Sequence, residues 1–128
     1  MAVQMNMPIL IVDDYRTMLR IVRNLLSKLG FTDIDEAADG ETALAMLKSR
    51  EYGLVISDWN MQPMTGFELL KVVRADAVLK TMPFIMVTAE SKVENVQAAR
   101  QAGVNNYIIK PFSAAVLKAK LKAVLGEF

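Results

Sequence analysis

Short apolar runs recur along this chain, and each is followed by a stretch with the period of a helix. That alternation limits the fold more than any other feature of the sequence. Ile9-Leu-Ile-Val12 is continuous and mostly β-branched, as a strand buried on both faces requires. Met18, Ile21, Val22, Leu25, Leu26 and Leu29 then follow an i, i+3, i+4 stripe, and Gly30 closes that helix. Residues 32–37 alternate polar and apolar, which suits an edge strand. Asp39-Gly40 turns into a second helix that runs to about Arg50. Residues 54–57 form a third strand, and Thr65-Gly-Phe-Glu68 has the spacing of a capping box that opens a third helix. Pro83 introduces a fourth strand, Phe84–Thr88. Ser91-Lys-Val-Glu94 repeats the capping-box spacing and opens a helix ending near Gly103. Residues 107–109 make a short fifth strand. Ser113 caps a last helix with Leu117, Leu121, Val124 and Leu125 on one face. Strand–helix alternation of this kind predicts an α/β fold, a parallel sheet with helices on both faces and right-handed crossovers.

Composition excludes several chemistries. With 128 residues the expectation is one domain and one core. The hydrophobic fraction of 53% excludes disorder. A net charge of +1 provides no general field for nucleic acid. There are 0 Cys and 0 His, which removes disulfides, thiol catalysis, zinc triads and a phosphohistidine on this chain itself. No apolar run approaches the roughly 20 residues of a membrane span, and the N-terminus does not read as a signal peptide. The expectation is a cytoplasmic monomer with no membrane or nucleic-acid partner. The expectation is also of a single domain, 1–128, without an appended output module.

The acidic and hydroxyl residues fall at the ends of the apolar runs. Asp13-Asp14 follows the first, Ser57-Asp58 the third, Thr88 ends the fourth and Lys110-Pro111 follows the fifth. In an open parallel sheet the carboxyl ends of the strands form one edge, where ligands bind. Carboxylates gathered there repel one another and invite a hard, oxygen-seeking cation such as Mg2+. A lysine and a hydroxyl beside them suit a phosphoryl group. The pattern points to a phosphoryl-accepting aspartate.

With these residues the chain resembles the receiver domain of two-component response regulators. Within that family it looks most like the single-domain chemotaxis regulators. The motifs are Ile-Val-Asp13-Asp14, Ser57-Asp58-Trp59-Asn60-Met61, Val-Thr88-Ala-Glu90 and Tyr107-Ile-Ile-Lys110-Pro111-Phe112, and they cover about residues 7–126. The resemblance implies a flavodoxin-like (βα)5 sheet of order 2-1-3-4-5. It implies that Asp58 accepts the phosphoryl group. Asp13, Asp14, Asp58 and the backbone carbonyl of Asn60 would hold Mg2+, Asp14 directly and Asp13 through water. Lys110, joined to Pro111 by a cis bond, would pair with the phosphoryl oxygens. Thr88 would bond a phosphoryl oxygen, and Tyr107 would swing inward as Thr88 moves. Asn60 and Glu90 would tune self-dephosphorylation. Lys92, Tyr107, Lys118 and Lys122 would line a surface for acidic motifs. Trp59 is a loop aromatic and an optical reporter. The implied partners are a histidine kinase, the flagellar motor switch protein and a phosphatase. A phosphate sink for the kinase, or a receiver with another target, is the alternative.

Other classes fit less well. Aspartyl-phosphate hydrolases usually carry a second Asp where this chain has Asn60. A flavodoxin-like cofactor binder needs a Ser/Thr/Gly-rich phosphate loop where Asp13-Asp14 stands. An inactive receiver would lack one of Asp58, Asp14 or Lys110. Two departures from the family stand out. Met61-Gln62-Pro63-Met64-Thr65-Gly66 replaces the common Met-Pro-x-Met-Asp-Gly, and Arg16 is bulkier and more basic than that position usually is.

Overall fold

The computed structural model describes residues 3–89 and 93–128. In chain order its elements are β1 (Ile9–Val12), α1 (Arg16–Lys28), β2 (Ile34–Ala37), α2 (Gly40–Ser49), β3 (Leu54–Asp58), α3 (Gly66–Ala75), β4 (Phe84–Thr88), α4 (Val93–Gln101), β5 (Asn106–Ile109) and α5 (Ala114–Leu125). The five strands form one sheet of order β2-β1-β3-β4-β5, and every pairing is parallel. This is the fold and strand order that the sequence implied.

Side-chain alternation along the strands explains the layers. β1, β3 and β4 are buried along their whole length, whereas β2 and β5 each contain partly exposed positions. Leu10, Val12, Val55, Phe84 and Met86 face one way and pack with Ala43 and Leu47 of α2, Leu69, Leu70 and Val73 of α3, and Ala99 of α4. Ile9, Ile11, Leu54, Ile56, Ile85, Val87 and Ile108 face the other way. They pack with Leu19, Val22 and Leu26 of α1 and with Leu117 and Leu121 of α5. Burial on both faces makes the central strands near-continuous apolar runs.

Local signals set the helix ends. Asp39 accepts the Thr42 N–H at 2.7 Å, and Ser113 accepts the Val116 N–H at 3.2 Å. Thr65 and Glu68 close both halves of a capping box. Such caps are each worth about 1 kcal/mol. Gly30 ends α1 with φ +108°, a conformation that side chains disfavour. The second expected capping box begins at Ser91, which lies outside the described residues. Among the described residues no helix is long and apolar enough to cross a membrane.

At the amino end of β4 and β5 one arginine gathers several loose ends. The Arg74 guanidinium donates to the carbonyls of Gly103 (2.9 Å), Lys80 (3.1 Å) and Met82 (2.7 Å), and to Asn105 Oδ1 at 2.8 Å. The same Asn105 oxygen accepts the Phe84 N–H at 2.7 Å. Arg74 thus joins α3 to the loops that enter β4 and β5. The rigid fork of donors suits such a cluster of carbonyls better than a single ammonium would.

The α1 stripe differs from its sequence reading. Leu19 lies on the buried line with Val22 and Leu26, while Ile21 is 44% exposed. The apolar stripe is wider than the strip of helix that the sheet can cover, so packing chose one side of it. Leu26→Ala should therefore cost about 2–5 kcal/mol, and Ile21→Ala about 1 kcal/mol or less. Urea unfolding of the two variants checks this, and equal losses would contradict the assigned rotation of α1.

Candidate functional site

The sheet register brings the candidate residues to one edge. Val12 pairs with Ser57, Asp58 with Val87, and Thr88 with Ile109. Asp13 and Lys110 are therefore the first residues beyond β1 and β5, and Asp58 and Thr88 are the last of β3 and β4. Backbone bonds carry the ladder past the strand ends, from Asp13 N–H to Ala37 O (3.1 Å), Trp59 N–H to Val87 O (2.9 Å) and Lys110 N–H to Thr88 O (2.8 Å).

Carboxylate oxygens of Asp13, Asp14 and Asp58 lie within 4.8 Å of one another. Asp13 and Asp58 are each only 5% exposed, whereas Asp14 is open to solvent. Lys110 Nζ is 2.7 Å from Asp58 Oδ1 and 3.8 Å from Asp13 Oδ2. Beneath the acids Ile11, Val12, Met18, Leu19, Val22, Ile56 and Val87 form an apolar floor around a cavity of about 10 Å³, at the lower limit for one water. Burial over that floor pushes the Asp13 carboxyl up to about 6. The Tyr15 N–H, which Asp13 Oδ1 accepts at 3.0 Å, works against the rise, and the Asp58 charge adds to it. Among the described residues three carboxylates gather beside one ammonium, which leaves the cluster short of positive charge. All-oxygen donors with excess negative charge fit a hard divalent cation such as Mg2+.

A glycine fixes the back of the site. A Cβ on Gly66 would stand 2.1 Å from the Asp58 carbonyl oxygen, so only glycine lets α3 start against the end of β3. The Gly66 N–H donates to Trp59 O at 2.9 Å, and Ser57 Oγ donates to Asp58 O at 3.0 Å. Sequence reading passed over Gly66. Its signals are a glycine at the first position of a helix, directly after the Thr65 cap, and its match to the closing glycine of the family's Met-Pro-x-Met-Asp-Gly motif. The unusual loop before it contains a cis bond at Gln62-Pro63, and Lys110-Pro111 is also cis.

The remaining sequence candidates are spread more widely. Thr88 is fully buried at the end of β4. Asn60 is exposed two residues beyond Asp58. Tyr107 is buried, 9% exposed, with its ring T-shaped to that of Trp59. Lys118 is exposed on α5, while the Lys122 ammonium pairs with Glu127 at 3.2 Å and sits over the Phe128 ring. Glu90 and Lys92 lie outside the described residues. Arg16 is exposed and lines a shallow groove with Arg20, Arg23 and Glu36 on the α1 side.

Residues 9–122 match the response regulator receiver domain. The chain is 57% identical over 119 residues to chemotaxis protein CheY-3 of Vibrio cholerae serotype O1, covering 93% of this chain and 92% of that protein. It is 55% identical over 118 residues to chemotaxis protein CheY of Pseudomonas aeruginosa, covering 92% and 95%. Among solved structures, Vibrio cholerae CheY4 superposes with a TM-score of 0.87 at 35% identity, covering 94% of this chain and 99% of that one. The receiver domain of a Pseudomonas aeruginosa sensor histidine kinase, solved with a magnesium ion coordinated in its active site cleft, gives 0.85 at 26% identity, covering 95% and 99%.

The crowded acids should leave a signature in the metal-free protein. An acid whose folded pKa is near 6 and whose unfolded value is 3.8 binds its proton more readily when folded. Stability from Asp13 therefore rises as pH falls from about 6 to 4, by up to about 3 kcal/mol. Asp35, Asp39 and Asp76 are held below the usual range by hydrogen bonds and act in the opposite sense, but only below about pH 4. Urea unfolding across this window, without divalent ions, should show the rise in the wild type and not in Asp13→Asn. A wild-type stability that declines steadily from pH 6 to 4.5 would count against the strained cluster. Gly66→Ala should cost about 1–3 kcal/mol by overpacking against the Asp58 carbonyl. Thermal unfolding measures that loss, and an unchanged midpoint would show that the contact is not tight.

Proposed function

The chain belongs to the response regulator receiver domain family, and from that premise we propose that it is a phosphorylation-dependent switch of a two-component chemotaxis system. The observation that carries the reading is the Lys110 ammonium 2.7 Å from Asp58 Oδ1, beside two further carboxylates at the sheet edge. A histidine kinase of the chemotaxis type would present a phosphohistidine. An Asp58 carboxylate oxygen attacks phosphorus, an O–P bond forms, the P–N bond breaks, and the imidazole leaves with its electron pair and takes up a proton. Asp58 becomes an acyl phosphate.

Asp13, Asp14, Asp58 and the Asn60 backbone carbonyl would hold Mg2+, which offsets the negative charge of the transferring group when bound. Lys110 exchanges part of its pairing with Asp58 for the phosphoryl oxygens, as a mobile point charge can. The Thr88 hydroxyl donates to a phosphoryl oxygen. Its displacement toward the site leaves space beside Tyr107 and so favours the inward position of that ring. Asn60 and Glu90 orient the water that later cleaves the acyl phosphate, returning the carboxylate and inorganic phosphate. The chain thus catalyses its own phosphoryl acceptance and loss and turns over no separate substrate.

The output is a changed surface near α5, with Lys92, Tyr107, Lys118 and Lys122 meeting an acidic segment of the flagellar motor switch protein. A phosphatase would shorten the signal. In this reading the protein works in the cytoplasm as a monomer and needs no membrane or nucleic acid. The first two relatives named above carry chemotaxis names, which favours a chemotaxis target over a phosphate sink.

Intact mass after incubation with Mg2+ and acetyl phosphate tests the chemistry. The expected result is a gain of one phosphate with a matching change in Trp59 fluorescence. Both should depend on Mg2+ and both should be lost in Asp58→Asn. No mass gain, under conditions where a known receiver is phosphorylated, would overturn the reading.

A further inference from the structure

Beside the acid cluster lies an aromatic stack that neither the metal nor the phosphoryl chemistry uses. The Phe67 and Trp59 rings are parallel within 8°, with centroids 5.1 Å apart. On its other side Trp59 meets the Tyr107 ring edge-on, at 6.3 Å and 73°. One helical turn beyond Phe67, the Lys71 ammonium lies 5.4 Å from the centroid of the Phe67 ring. The series Lys71–Phe67–Trp59–Tyr107 therefore runs from α3, past the residue next to Asp58, to β5.

We infer that Phe67 is a positioning residue that sets the plane of Trp59 and so holds Tyr107 in its buried position. Trp59 is gripped twice by the start of α3, because the Gly66 N–H donates to its carbonyl at 2.9 Å and the next residue stacks on its indole. Gly66 itself is pressed against the Asp58 carbonyl, so the height of Phe67 above Trp59 follows from where the acceptor strand ends. Stacked and edge-on ring pairs each add free energy beyond the area they bury. The ammonium over the outer face of Phe67 adds a cation–π contact to the same stack. A leucine at residue 67 would keep much of the volume and lose the stack. The indole would then be free to rotate, and Tyr107 would lose the ring that its edge leans on.

The inference rests on the phosphorylation reading only for its consequence, that Phe67 biases the Tyr107 switch before any phosphoryl group arrives. The position of Tyr107 can be measured without phosphorylation. The chain has 3 tyrosines, so 3-fluorotyrosine labelling gives a short 19F spectrum in which Tyr107→Phe assigns the relevant signal. In the metal-free, unphosphorylated protein, Phe67→Leu should shift the Tyr107 signal and enlarge its H2O/D2O isotope shift. The signals of Tyr15 and Tyr52 should stay in place. The buried-to-exposed ratio of Tyr107 should fall roughly fivefold, the weight of one ring pair. Phe67→Tyr, which restores a stacking ring and adds one resonance of its own as a fourth tyrosine, should return the Tyr107 signal to its wild-type position. A Tyr107 signal unmoved in Phe67→Leu, or moved equally in Phe67→Leu and Phe67→Tyr, would overturn the inference. Failure of Asp58 to accept a phosphoryl group would instead remove the proposed function and leave the fluorine result standing.

Discussion

Both faces of the sheet are sealed, and that constraint governs where anything else can happen. β1, β3 and β4 carry apolar side chains into two separate cores, so neither face has room for an unpaired polar group. Polar chemistry is pushed to the ends of the strands. At the carboxyl ends the backbone ladder continues just far enough to set Asp13, Asp58, Thr88 and Lys110 along one sheet edge, where the Lys110 ammonium meets Asp13 and Asp58. The apolar layer under them does a second job. It buries the Asp13 carboxyl, which raises the cost of that charge and sharpens the demand for a cation.

Opposing effects act on Asp13, and burial outweighs the rest. Burial and the neighbouring Asp58 charge disfavour its ionised form, while the Tyr15 N–H and the Lys110 ammonium favour it. Lys110 satisfies only part of the demand, because one ammonium faces three carboxylates. A site in this condition responds strongly to a small change in charge, which is the property a switch needs.

Much of this was legible in the sequence because strand ends are easy to recognise. A four-residue β-branched run followed by Asp13-Asp14 places those acids at a sheet edge once the alternation of strands and helices is accepted. Asp58, Thr88 and Lys110 follow in the same way, as do the caps at Thr65 and Ser113. Features that depend on distance through space were not legible. Ile21 and Leu19 are equally apolar in the sequence, and only the rotation of α1 against the sheet tells them apart. Gly66 looked like an ordinary helix start until the Asp58 carbonyl was found against it. The stack of Phe67 on Trp59 joins residues eight positions apart across an irregular loop with no periodicity to read. Tyr107 could be recognised as an aromatic at a strand but not as a buried one.

Arg74 has a consequence for how the molecule breathes. Its guanidinium gathers three carbonyls and the Asn105 side chain at the end of the sheet opposite the acids. Opening the fold there would break all of these hydrogen bonds at once, those to Gly103 and Met82 among them part-buried and the more costly to leave unmade. Local opening is cheapest where few such groups must be broken. Amide exchange should therefore be graded along β4 and β5, slowest at the arginine clasp and faster toward Thr88 and Lys110. The sheet is like a book bound along one margin, with the acids along the other.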